Sequence, residues 1–173
     1  MIRRSVGWCG IVATALGLMA LIGVTQAEMK GQGGGAHEGA KWLTDFEAAK
    51  KKAAATGNPI LVNFSGSDWC GWCIRLDKEV LSKPAFRKYA RENLVLFLAD
   101  FPRRKQQPAK LKKQNQELDK RYGVRGFPTI LLVNADGKKL AQTGYQPGGP
   151  EAYTKHLNEL LSSAAASSSE SEG

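Results

Sequence analysis

The chain of 173 residues is poor in the side chains that build metal and haem centres, with three cysteines and two histidines. A structural zinc site needs about four ligands, usually as two paired clusters. Beyond the close pair Cys70 and Cys73 there are only Cys9, His37 and His156, each far away in sequence. A haem-attachment site needs a histidine directly after the second cysteine, and Ile74 stands there. No bound metal or other cofactor is therefore expected. Nor does the N-terminal apolar run, Ile11 to Val24 (IVATALGLMALIGV), reach the length of a membrane span. No nucleic-acid recognition motif is present, so no nucleic-acid partner is expected.

That apolar run has a different reading. Arg3 and Arg4 precede it, and Thr25-Gln26-Ala27 follows as a small-residue cleavage site. Residues 1–27 thus have the pattern of a signal peptide. The alternative is an uncleaved N-terminus that tethers the protein to a membrane. Cys9 lies before the run rather than after it, which weakens a lipoprotein reading. Either way the domain is expected outside the cytoplasm, periplasmic or extracellular. Cleavage removes Cys9 and leaves Cys70 and Cys73 alone. Two cysteines make no disulfide scaffold, so stability must come from a hydrophobic core. The formal charge is +9, and falls to +7 without residues 1–27, which carry Arg3 and Arg4 and no acidic residue. The cations concentrate in Lys83 to Arg91 and in Arg103 to Lys113 (RRKQQPAKLKK). They fit an acidic partner or an anionic surface, or else a solvated face that aids solubility, which is the favoured reading.

Residues 28–40 (EMKGQGGGAHEGA) form a Gly-rich flexible linker, and residues 162–173 (SSAAASSSESEG) a tail without large apolar residues, expected to be disordered. The folded unit should span 41–161. Within it, Thr44-Asp45-Phe46-Glu47 reads as a capping box and opens a helix that Gly57 and Pro59 end. Ile60 to Phe64 (ILVNF) reads as a buried strand. A helix begins near Cys70, with Cys73, Leu76 and Val80 on its inward stripe. Ser82, with Pro84 behind it, opens a short helix through Ala90. Leu94 to Ala99 is a second buried strand, and Pro108 to Tyr122 a polar, lysine-rich helix. Thr129 to Asn134 is a third strand. Ala135-Asp136-Gly137-Lys138 turns into a fourth over Lys139 to Thr143. Pro150 starts a last helix to Leu161. Strands alternating with helices, then a hairpin, predict an α/β fold, a central mixed β-sheet flanked by helices on both faces.

Cys70 and Cys73 are a redox pair, two metal-binding thiolates, or thiols that oxidise without function. The redox reading has a physical basis. Unpaired N–H groups where a helix begins favour a thiolate at Cys70. The thiolate is the nucleophile of disulfide exchange, and Cys73 lies one turn later.

Two motifs more than fifty residues apart then carry a resemblance. One is Trp69-Cys70-Gly71-Trp72-Cys73 after ILVNF. The other is Tyr122-Gly123-Val124-Arg125-Gly126-Phe127-Pro128-Thr129, followed by ILLVN and the turn ADG. Over roughly 41–161 the chain resembles the thioredoxin superfamily, in particular exported single-domain thioredoxin-like proteins with GSDWCGWC. The resemblance implies a thioredoxin fold, with Cys70 as attacking thiol and Cys73 as resolving thiol. It implies a cis Phe127–Pro128 bond beside the disulfide, with the Phe127 backbone pairing with substrate. Trp69, Gly71, Trp72, Phe127 and Pro128 would line the substrate site.

Three departures stand out. Asn63 occupies the place nearest to the buried acid of many thioredoxins, with one extra residue before Cys70, and it cannot titrate. Asp68, two residues before Cys70, reads as a loop residue near a helix start. The residues between the cysteines are Gly71-Trp72 rather than Gly-Pro. Trp72 either contacts substrate or packs locally. Lys78 stands where thioredoxin has a helix-kinking proline, so the helix is expected to run straighter.

The expected function is exported thiol–disulfide exchange with protein substrates bearing disulfides or thiols, served by a redox partner in the membrane or outside it. The chain is expected to be monomeric. The alternatives are a thioredoxin-fold peptide-binding adaptor or chaperone without redox turnover, and a metal carrier using both thiolates.

Overall fold

Two strands with no polar face set the architecture. Val95–Asp100 (β2) and Ile60–Ser65 (β1) read as apolar runs because both faces of each are covered. A computed structural model describes residues 41–169. The expected signal peptide, the linker and residues 170–173 lie outside them. The remaining elements are α1 (Phe46–Thr56), α2 (Gly71–Leu76), α3 (Pro84–Asn93), α4 (Ala109–Tyr122), β3 (Thr129–Val133), β4 (Lys139–Thr143) and α5 (Gly149–Ser169). The sheet order is β2-β1-β3-β4. β1 runs parallel to β2 and antiparallel to β3, and β3 runs antiparallel to β4. This is the mixed sheet of the thioredoxin fold that the sequence predicts.

Side chains alternate across each strand, so each face receives its own core. Ile60, Val62 and Phe64 of β1 join Val95 and Phe97 of β2, Leu131 of β3, Phe46 of α1 and Leu118 of α4. Leu61 faces the other way. It packs with Leu76, Phe86 of α3, Ile130, and Tyr153 and Leu157 of α5. Asn63 and Ser65 share the face of Leu61 by the same alternation.

Helix boundaries differ from expectation in four places. Asp45, not Thr44, caps α1: its carboxylate accepts the Ala48 N–H at 3.0 Å, while Gln114 accepts the Phe46 N–H. Ser82 does not cap α3, whose first turn follows Lys83. Its hydroxyl instead donates to the Asp77 carbonyl at 2.7 Å. The helix after the cysteines does not run straight on as an α-helix. Residues Asp77–Leu81 wind as a π-helix, closed by the Ser82 N–H on the Asp77 carbonyl. Lys78 keeps the N–H that a proline would lack, but the wider turn lets both Val80 and Leu81 enter the core below Leu76. Finally, α5 continues past Leu161 to Ser169, through the first part of the expected tail. Ala164, Ala165 and Ala166 favour helix, and no glycine or proline interrupts the run.

Phe97 is fully buried and meets Phe46 edge-on at 5.1 Å. Phe97→Ala is expected to destabilise the domain by about 3–5 kcal/mol. Urea denaturation should show a lower midpoint with an unchanged slope. An unshifted midpoint would contradict this packing.

Candidate active site

β1 ends at Ser65, and the chain must turn within five residues to start α2. Gly66 makes the turn possible. A Cβ there would collide with the Trp69 indole, with Nε1 at 2.6 Å. Trp69 folds back over the turn and donates its Nε1–H to the Phe101 carbonyl at 2.7 Å.

Two carboxylates lock this turn to the loop that follows β2. Asp100 accepts the Ser67 N–H at 2.9 Å and its hydroxyl at 2.7 Å. In the opposite direction, Asp68 accepts the N–H groups of Arg103, Arg104 and Lys105 at 2.9, 2.8 and 3.1 Å. The Arg103 N–H, followed by those of Arg104 and Lys105, holds the Asp68 carboxyl below its ordinary range, against the opposing effect of partial burial. Asp68 lies in the turn before α2, as expected, and its carboxylate has in addition a tertiary role. Its partners lie 35 to 37 residues away, a separation that leaves no local signal.

Cys70 caps α2. Its Sγ accepts the Cys73 N–H at 3.2 Å, and the two residues form a disulfide with Cα atoms 5.3 Å apart. Cys70 is 7% exposed and Cys73 5%, so the sulfurs are reached only from the rim. Gly71 opens α2 with open space where a side chain would stand. No group of three or more metal-binding side chains is present among the described residues.

The rim has two sides. On one, Trp69 meets Phe127 edge-on at 5.8 Å, and Phe127 lies 5.1 Å from Phe101. The two distant sequence motifs are thus in contact. These three rings floor a cleft of ≈ 580 Å³, with Arg125 and Asp119 on its wall. The Phe127–Pro128 bond is cis, and Thr129 donates its hydroxyl to the Gly126 carbonyl at 2.7 Å. Pro128 faces a neighbouring cleft with Lys139 and Gln142. Arg103 stacks on Trp69, its Cζ 3.6 Å from the ring centroid.

On the other side, Trp72 is 56% exposed yet lies 5.3 Å from Tyr145. Substrate contact and local packing, posed as alternatives, are therefore compatible. Arg75 covers both rings and donates to Glu79 at 2.8 Å, and Tyr145 donates to the same carboxylate at 2.6 Å. The Tyr145 bond, then that of Arg75, keeps Glu79 below the usual carboxylate range. Arg75 and Glu79 have a legible i,i+4 spacing. Tyr145, a tertiary partner, had no such signal.

Beneath the disulfide helix, Asn63 is 3% exposed, and its Oδ1 has no hydrogen-bond partner among the described residues. It offers a polar but non-titrating group on the face that α2 covers.

A thioredoxin fold with a Cys-X-X-Cys disulfide at the first turn of the helix after β1 defines a thioredoxin-superfamily thiol–disulfide protein. The chain belongs to the family described as Thioredoxin-like domain, which matches residues 46–161. It is 40% identical to the disulfide bond reductase DsbH of Chlamydia pneumoniae over 60% of this chain and 62% of the relative. The thioredoxin-related protein DsbJ of the same organism is 29% identical over 60% of this chain and 30% of its own. The chain thus spans less than two thirds of these curated relatives. Among solved structures, a DsbH oxidoreductase superposes with a TM-score of 0.67 at 31% identity, covering 87% of this chain and 95% of the other. A thioredoxin from Thermus thermophilus, TM-score 0.56 at 21% identity over 75% and 93% of the chains, shares the fold.

Asp68 also generates a pH prediction. A carboxyl whose folded-state pKa is lowered stabilises the clamp fully above its unfolded value of about 3.9. That contribution is lost as pH falls through the lower, folded value. The backbone amide NMR signals of Arg103, Arg104 and Lys105 should therefore shift together in acid. In Asp68→Ala they should sit at their acid positions at every pH. Three amides that titrate independently, or not at all, would refute the clamp.

Proposed function

We propose that the chain is an exported, monomeric thiol–disulfide oxidoreductase acting on protein substrates, and that it works chiefly as a reductase. The observation carrying this reading is the Cys70–Cys73 disulfide, held at the first turn of α2 beside an aromatic cleft that contains Phe127. The description of DsbH as a disulfide bond reductase supports the reducing direction.

In the reduced protein, the Cys70 thiolate attacks one sulfur of a substrate disulfide. A mixed disulfide forms, and the other substrate sulfur leaves as a thiolate that takes up a proton. The Cys73 N–H that now contacts Cys70 Sγ is placed to meet the thiolate charge. Cys73 then loses its proton and attacks Cys70 Sγ. The mixed disulfide breaks, the second substrate thiolate leaves, and the Cys70–Cys73 bond closes. Two electrons pass to the substrate. A dithiol protein, membrane-bound or not, returns them by the reverse exchange.

Asn63 cannot accept the Cys73 proton, so in this reading water takes it. Phe127 presents its backbone to the substrate chain, while Trp69, Gly71, Trp72 and Pro128 border the bound segment. No helix among the described residues is long and apolar enough to cross a membrane. Export rests on residues 1–27, with a tether by an uncleaved N-terminus as the alternative.

Insulin reduction with dithiothreitol tests the chemistry. Cys70→Ser should fall to the uncatalysed rate. Reduced Cys73→Ser, freed of dithiothreitol and then mixed with substrate, should instead accumulate a covalent adduct, visible on a non-reducing gel and released by reductant. Wild-type turnover in Cys70→Ser would reject the assignment. Export has its own readout: protein recovered from the periplasm of an expression host should begin at Glu28. A recovered chain that still starts at Met1 would favour the tether.

A further inference from the structure

The basic stretch after β2 reads as a solvated face or as a surface for an acidic partner, and its first three cations are exposed beside the turn that carries Cys70. Arg103, Arg104 and Lys105 are all exposed, and one carboxylate two residues before Cys70 binds their backbone N–H groups. The clamp uses the backbone alone, so it fixes where the side chains start without consuming them. Arg103 is spread over the Trp69 ring. Neither Arg104 nor Lys105 forms a salt bridge with another described residue. Asp68 offsets part of this charge and lies close enough to feel Lys105.

The surroundings add one more cation. Arg125 lines the cleft floored by Trp69, Phe101 and Phe127. Asp119, on the same wall, is the acidic group that opposes it. Across the disulfide the balance is different, because Arg75 is already matched by Glu79. On the Trp69 side Arg103, Arg104, Lys105 and Arg125 stand against Asp68, Asp100 and Asp119, a small positive excess, with Arg103 on the Trp69 ring and Arg125 on the cleft lining.

We propose that the clamped loop 103–105, together with Arg125, recruits protein substrates that carry aspartate or glutamate beside the disulfide to be exchanged. This rests on the redox reading above and names the class of polypeptide that the site prefers. Fixed, unmatched charge beside a binding cleft accelerates encounter with the opposite charge, and salt screens the effect. A clamped backbone removes the cost of ordering the loop on binding, which leaves only the side chains to be ordered.

The experiment uses the reduced full chain and two synthetic peptides, each with one disulfide, flanked by glutamates in one and by serines in the other. Single-turnover reduction is followed by separating the products. At low salt the acidic peptide should react about tenfold faster, at the lower end of electrostatic steering. The advantage should collapse at about 1 M salt, where the screening length is about 3 Å. It should also collapse in Arg104→Gln/Lys105→Gln, which preserves the backbone clamp, while the serine peptide keeps its wild-type rate. Equal rates for the two peptides, an advantage that survives in the variant, or an equal slowing of both peptides would overturn the proposal. If neither peptide is reduced, the redox reading fails. Fluorescence anisotropy of the oxidised protein with a labelled, cysteine-free acidic peptide then decides the recruiting surface alone. Salt-sensitive binding that the double variant loses supports it, and no binding refutes it.

Discussion

The reciprocal clamp between the turn after β1 and the loop after β2 is the constraint on which the redox edge depends. Asp100 holds Ser67, and Asp68 holds residues 103–105. Both strands end at the same edge of the sheet, where backbone N–H groups lose their ladder partners. Two carboxylates satisfy five donors there, four backbone N–H groups and the Ser67 hydroxyl. The Trp69 indole adds a sixth link to the Phe101 carbonyl. The Asp100 carbonyl in turn accepts from Gln107 and from the buried Asn115. Cys70 is thus suspended from a turn that is tied on both sides. A nucleophile is most effective when its position is settled before substrate arrives.

The sheet supplies the other half of the positioning. Because both faces of β1 are covered, its register cannot slip by one residue without exchanging Leu61 for Ile60 or Val62 in the two cores. The cysteines therefore start from a fixed strand end. The π-helical stretch at 77–81 serves the same purpose by a different route. It brings Val80 and Leu81 into the core together, which anchors the short α2 that carries Cys73. Within this apolar support, Asn63 stays polar and uncharged.

The legible parts of the molecule are those set by local rules. ILVNF, LVLFLA and TILLV are apolar and β-branched runs between breakers, and each is a strand. The pair WCGWC and the distant GFPT meet through Trp69 and Phe127, as their resemblance to one superfamily implies. What escaped the sequence was set by tertiary partners. The Asp68 carboxylate finds three amides across the edge of the sheet. Tyr145 reaches Glu79 from the loop after β4. Ser82, by type a cap for the next helix, turns back to close the previous one. Competition between two hydrogen-bonding options for one side chain has no sequence signature. The helical stretch 162–169 escaped for a related reason. Small residues carry no amphipathic pattern, yet alanine prolongs a helix that packing has already nucleated.

The two sides of the disulfide differ in how their charge is used. Beside Trp72, Arg75 is held between two rings and a carboxylate, and Glu79 takes bonds from both Arg75 and Tyr145. That network is closed on itself. A partner meeting it finds aromatic surface, with Trp72 and the half-exposed Ile74 outermost. Such a surface accepts many sequences, because dispersion and burial of apolar area do not depend on the order of residues. Beside Trp69 the aromatic floor is similar, but Arg103 covers one ring and the carboxylate below is occupied by backbone. The cations on that side remain available to whatever enters. A site built this way can hold many chains by its apolar contacts and still rank them by charge. In the proposed recruitment of acidic substrates, discrimination belongs to the loop after β2 rather than to the dipeptide between the cysteines.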